Sequence, residues 1–228
     1  MNNLLGRYGD LLSEVDVWFR ACADNQPQQI TCRRGCSSCC RGLFDITLLD
    51  ALYLKLGFDR LDTLHKNNIS NTAYERLNTL ARQFPLFVEP WILNRIPEPE
   101  WDAIMPEEDE TPCPLLSESG NCMVYEYRPM TCRLNGIPLI DISGEELFDE
   151  WCSLNFIGED PLEYEGLRFR FKELFTHELL LFQEMMRILT GRTLSEADTI
   201  IPAAIVLELD KVLPVIKEMV DHAAYEES

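Results

Sequence analysis

The chain has 228 residues and sets 20 Lys+Arg against 39 Asp+Glu, a formal net charge of -19. That balance argues against nucleic-acid binding, which needs a Lys/Arg-rich face, and against docking on an anionic membrane surface. Apolar residues at 46% and charged residues at 26% suit one globular domain with a real core, while nine cysteines are many for a cytosolic chain unless they do chemistry.

The N-terminal stretch lacks the charged, apolar, small-residue progression of a secretory signal. No apolar run approaches the roughly 18 residues of a membrane span. The expected location is the cytoplasm, where thiols stay reduced. Structural disulfides are therefore disfavoured, and metal binding or redox chemistry gains weight.

In chain order, residues 3–22 predict a helix. Leu4, Tyr8, Leu11, Leu12, Val15, Phe19 and Cys22 recur at spacings of three and four. Cys22 falls on that stripe and reads as a small buried hydrophobe. Residues 31–42, TCRRGCSSCCRG, have no regular period and read as a loop. A helix is expected from Thr47, with Asp50 as a capping partner, to a stop at Gly57. Another is expected over about 72–83.

Pro85, Pro90, Pro97, Pro99, Pro106 and Pro112 then forbid a long helix. Seven acids between Glu98 and Glu110, with no base among them, read as an exposed acidic connector. Ser119-Gly120-Asn121 reads as a tight turn between Pro114–Leu116 and Cys122–Val124, and a second hairpin is expected about Ser143-Gly144. The longest helix is expected over 162–190, its buried face including Leu167, Phe171, Leu174, Phe175, Leu181, Phe182, Met185, Ile188 and Leu189. Two shorter helices, near 195–208 and 211–224, complete the C-terminal helical segment, 162–225. The fold class is mainly α: a single domain, 1–228, in which a helical body carries an irregular cysteine-rich metal-binding lobe with short β-hairpins.

With Cys22 set aside, eight cysteines remain as metal ligands: Cys32, Cys36, Cys39, Cys40, Cys113, Cys122, Cys132 and Cys152. The first four give C-x3-C-x2-C-C. Spacings of two or three residues let one turn of backbone present two thiolates to one ion. Eight thiolates match two tetrahedral sites or one larger cluster. Adjacent Cys39 and Cys40 point in different directions and are expected to split between centres or to bridge them. Residues 31–42 hold Arg33, Arg34 and Arg41 and no acid, and Arg128 and Arg133 flank Cys132. Such guanidiniums would offset the negative charge of thiolate-bound zinc or of a [4Fe–4S] cluster. Five surface arginines would look the same alone; their coincidence with the cysteines is what counts.

CRRGCSSCCRG, CPLL at 113–116, GNCMVYEYRPMTCR at 120–133, and Cys152 resemble the YkgJ-type cysteine-cluster proteins, the CxxCxxCC zinc- or iron-chelating domain. The likeness covers about residues 30–155; the chain departs from it in having x3 at the first spacing. The resemblance implies a cytoplasmic protein holding zinc or an iron–sulfur cluster. One enzyme similar to the family, the flagellin lysine methylase, implies that some members are catalysts. The leading reading is a metal-binding protein. The alternatives are a cluster-dependent enzyme (redox or methyl transfer) and a zinc-stapled interaction module with an unidentified protein or redox partner.

C-x3-C-x2-C also matches the cluster loop of radical S-adenosylmethionine enzymes, but the sequence lacks their strand–helix alternation. No G-x-S-x-G nucleophile motif is present. His65, His177 and His222 read as surface or packing residues.

Overall fold

The computed structural model describes residues 1–226, with side chains as far as Asp221. It is mainly α, with eight α-helices among the described residues. None is long and apolar enough to cross a membrane. Helix α1, Asn2–Asn25, buries Leu4, Leu5, Tyr8, Leu11, Leu12, Val15, Trp18 and Cys22. Trp18 takes the fully buried place expected of Phe19, which is only partly covered.

Strand β1, Asp45–Thr47, leads into α2, Leu48–Asp59. The Thr47 hydroxyl caps α2 by accepting from the Asp50 amide at 3.1 Å. Gly57 does not stop this helix. It lies inside, where a Cβ would sit 2.5 Å from the ring of Tyr127. Helix α3, Thr63–Gln83, starts nine residues before the expected Thr72. Asp62 caps it, accepting from the amides of Leu64 and His65. Its first turns are polar, so the apolar period that marks a helix appears only from Ile69 onward.

The acidic connector is tethered rather than loose. Glu98, Glu100, Asp102, Glu107, Glu108 and Glu110 are exposed, but Asp109 pairs with Arg76, and Ile104, in the short helix α4 (Trp101–Ile104), is buried. Ile104 joins a small second core with Leu77, Leu80, Phe87, Leu93 and Ile96.

Helix α5, Met130–Leu134, precedes β2, Leu139–Ile140, which pairs antiparallel with β3, Glu146–Phe148, about the expected Ser143-Gly144 turn. The turn at 119–121 closes only an isolated bridge between Leu116 and Cys122.

The long helix is shorter than expected. Helix α6 is Phe171–Thr190, and residues 161–167 form two 3-10 turns instead. Tertiary partners take the backbone there: Trp18 Nε1 donates to Leu167 O at 3.0 Å, and the Phe169 amide donates to Ile140 O at 3.0 Å. Six buried side chains of α6, Phe171, Leu174, Leu181, Phe182, Met185 and Met186, anchor it. At roughly 1.5–3 kcal/mol each, their burial outweighs any propensity difference along the segment. Ile188, expected inside, is 52% exposed.

The helix expected over 195–208 is replaced by β4, Asp198–Ile200, and the short α7, Ile201–Ile205. β4 pairs antiparallel with β1, Asp45 opposite Ile200. The β-branched run Thr199-Ile200-Ile201 suits a buried strand better than a helix. Helix α8, Leu209–Glu226, closes the described chain. Among the described residues the four strands form two two-stranded sheets, and no barrel surrounds the C-x3-C-x2-C loop.

Candidate metal centre

The eight cysteines come from three irregular segments and one short helix. Cys32, Cys36, Cys39 and Cys40 lie in the loop between α1 and β1, Cys113 and Cys122 in the turns before α5, Cys132 within α5, and Cys152 after β3. Backbone hydrogen bonds join these segments. The Cys113 amide donates to Cys40 O at 2.9 Å, Gly42 N to Thr111 O at 2.9 Å, Phe156 N to Gln29 O at 2.8 Å, and Cys152 N to Gly136 O at 3.3 Å. All nine cysteines are free thiols, and Cys22 is buried in the core as expected.

Cys32 and Cys40 have different thiol neighbours. Cys32 feels Cys152, Cys36 and Cys39. Cys40 feels Cys113, Cys132 and Cys122, and those three feel one another. Cys39 and Cys40 sit at the junction, linked by a thiol–thiol hydrogen bond that raises the pKa of Cys39 and lowers that of Cys40. Cys36, Cys39, Cys40, Cys113, Cys122 and Cys132 line a small cavity of about 80 Å³.

Burial dominates the acidity of Cys113, Cys122 and Cys132. It pushes the Cys113 thiol up to about 12 and raises Cys122 and Cys132 as well. Such thiols keep their protons until a cation replaces them. Arg128 opposes this at Cys39, Cys122 and Cys132, and Arg133 does so at Cys122.

Arg128 stacks on the Tyr125 ring, 3.8 Å from its centroid, and donates through Nε to Tyr125 O at 3.1 Å. Arg133 is 4% exposed; it pairs with Asp16 and donates to the carbonyls of Arg128 at 3.0 Å and Glu126 at 2.8 Å. Arg33, Arg34 and Arg41 stand on the exposed side of the loop. Arg34 lies over Tyr125, and Arg41 pairs with Glu110. The five arginines thus divide: two are placed to act on the thiols, and three face solvent.

Sequence reasoning passed over Asn155 and Gly136. Asn155 is 1% exposed; its amide donates to Cys32 Sγ at 3.2 Å and to Gly136 O at 2.6 Å. A Cβ on Gly136, at φ 121°, would lie 3.0 Å from Cys32 Sγ, so glycine is what lets this strand of chain approach the sulfur. The one sequence trace of either was its position, four residues after Cys132 or three after Cys152.

The donor chemistry fits zinc or iron. Several of the thiols stand in surroundings that disfavour an uncompensated thiolate. Among the described residues, no three His, Cys, Asp or Glu side chains converge as a ready ion cage, so the thiols are collected but not closed around one point.

Fold and thiols together define a mainly helical, cysteine-rich protein of the metal-chelating class. The profile of the CxxCxxCC family, a "putative zinc- or iron-chelating domain", matches residues 31–153, more than half the chain, and the chain belongs to that family. Searches of curated proteins and of solved structures give no match.

Proposed function

We propose that this protein holds zinc or iron–sulfur centres through eight cysteine thiolates in two sets: Cys32, Cys36, Cys39 and Cys152, and Cys40, Cys113, Cys122 and Cys132. Two thiols with different neighbours support the reading: Cys32 lies near Cys152, Cys36 and Cys39, and Cys40 lies near Cys113, Cys132 and Cys122. Four thiolates complete either a tetrahedral zinc site or a [4Fe–4S] cluster. Arg128 and Arg133 supply positive charge beside them, and Arg33, Arg34 and Arg41 offer a positive rim in an otherwise acidic chain. Bound iron–sulfur would supply electron transfer to a redox partner, whereas zinc would supply a redox-silent cross-link. Free thiols on this scale belong in the reducing cytoplasm.

The hydrogen bonds that join the 29–42 loop to residues 111–156 favour a second role for the same centres, as staples of the fold. A metal held there contributes folding free energy directly.

The test is anaerobic purification followed by metal and acid-labile sulfide analysis per chain, with a visible spectrum. Two equivalents of zinc, or iron and sulfide for two clusters with a bleachable brown band, are expected. A chain that holds neither iron nor zinc overturns the reading.

A further inference from the structure

A second cavity, of about 660 Å³, shares Cys39 with the thiol-lined one, and Cys152 also lines it. Its volume falls in the range of small-molecule sites. Its inner wall carries Asp50 and Glu178, and Asp45 and Glu150 complete four acids with no lysine or arginine among the lining residues. Phe148, Trp151 and Phe175 are its aromatic lining residues.

The hydrogen bonding at the inner wall is one positive charge short. Tyr8 Oη lies 2.7 Å from Asp50 Oδ1 and 2.9 Å from Glu178 Oε1. A phenol donates one proton, so it cannot satisfy two ionised carboxylates. Asp50 Oδ1 also accepts from the Met130 amide at 2.9 Å. Asp50 is 1% exposed, yet its Oδ2 accepts no hydrogen bond among the described residues. The nearest buried guanidinium, Arg133, is taken by Asp16.

We propose that this cavity is a binding site for an organic monocation, such as a primary ammonium. Asp50 and Glu178 receive its charge, and its apolar body lies against Phe148, Trp151 and Phe175. A buried carboxylate pair is stable when a proton or a cation stands between its members. Burial and repulsion from Asp50 raise Glu178 to about 8, so without a cation a proton takes that place. Aromatic faces favour a cation over a neutral body of the same size. The proposal stands on the cavity itself and needs no metal in the adjacent thiol sets.

Ligand-observed NMR titration of the full chain, purified anaerobically and with its metal content measured, tests the assignment with n-butylammonium, n-butanol and butyrate. Saturable n-butylammonium binding at least tenfold tighter than n-butanol, with no binding of butyrate, is the expected result. Glu178→Gln should abolish that preference. Phe148→Ala, at a half-exposed rim position that cannot decide folding, should weaken n-butylammonium several-fold. Metal per chain should stay unchanged in both variants, which separates this proposal from the metal reading. Equal binding of all three probes, no saturable binding, or an unaltered preference in folded Glu178→Gln would overturn it.

Discussion

Asn155 Nδ2 sits 3.2 Å from Cys32 Sγ while its Oδ1 accepts from the Thr31 amide at 2.9 Å. One buried amide thus fixes both the backbone and the sulfur at the start of the first cysteine loop. It also lowers the Cys32 pKa against the larger effect of burial, which raises it. Hydrogen bonds to a ligand from its surroundings orient it and tune its basicity.

Asn155→Ala should therefore act twice. It strands the Thr31 amide and Gly136 O without their partner, which costs about 1–3 kcal/mol in total stability. It also frees Cys32 from its orientation. Chemical denaturation should show the stability loss, and competition with a chelator should show weaker metal retention by the Cys32 set. Unchanged values in both would remove Asn155 from the site.

Ligand partition makes a sharper claim. Cys152→Ser and Cys132→Ser each remove one ligand from a different set. Each variant should lose about half the bound metal, and the double variant nearly all of it. Metal analysis per chain reads this directly. Complete loss in either single variant would mean one shared centre instead of two.

The carboxylate pair beneath the large cavity predicts how stability varies with pH. Burial raises Glu178 from an ordinary 4.5 to about 8 and Asp50 from 3.8 to about 6. The folded state therefore binds more protons than the unfolded one between these values, and stability falls as pH rises from about 4 to about 8. Glu178→Gln should flatten that slope and raise stability at pH 8 by about 2 kcal/mol. That lies well below the full value of about 1.4 kcal/mol per unit, since one side of Glu178 faces the open cavity. Urea unfolding at pH 5 and pH 8, at constant metal loading, checks both sign and size. A stability that rises over this window would contradict the assignment.

Gly57→Ala sets helix propensity against sterics. Alanine is favoured over glycine inside a helix by about 1 kcal/mol. Here the new Cβ would meet three atoms of Tyr127 at 2.5–2.6 Å, two of them in the ring. Overpacking of that kind costs about 1–3 kcal/mol, so the net effect should be destabilising and visible as a lower Tm. A higher Tm would show that Tyr127 moves aside freely.

Several structural features were legible because they are local. The α1 stripe, the Thr47 cap, the Ser143-Gly144 turn and the exposed acids of 98–110 depend on near neighbours in sequence, and each stands near its expected place. The misread segments were those whose backbone bonds elsewhere. Residues 162–170 read as helix by apolar spacing, but Trp18 and Ile140 draw Leu167 and Phe169 out of it. β1 and β4 lie 150 residues apart, and three-residue strands leave no period to detect.

The sequence by itself determined the class of donor and the family: thiols at short spacing, in an ordered series of motifs, beside local arginines in an acidic chain. It did so because ligand type and short-range spacing are properties of the chain alone. Only the tertiary structure decided which thiols are neighbours, which arginines reach them, and that Asn155 holds Cys32. It alone brought Tyr8, Asp50 and Glu178, from α1, α2 and α6, to one buried wall. Those relations join residues up to 170 positions apart. They follow from how the helices bury their apolar faces against one another, which sequence spacing does not encode.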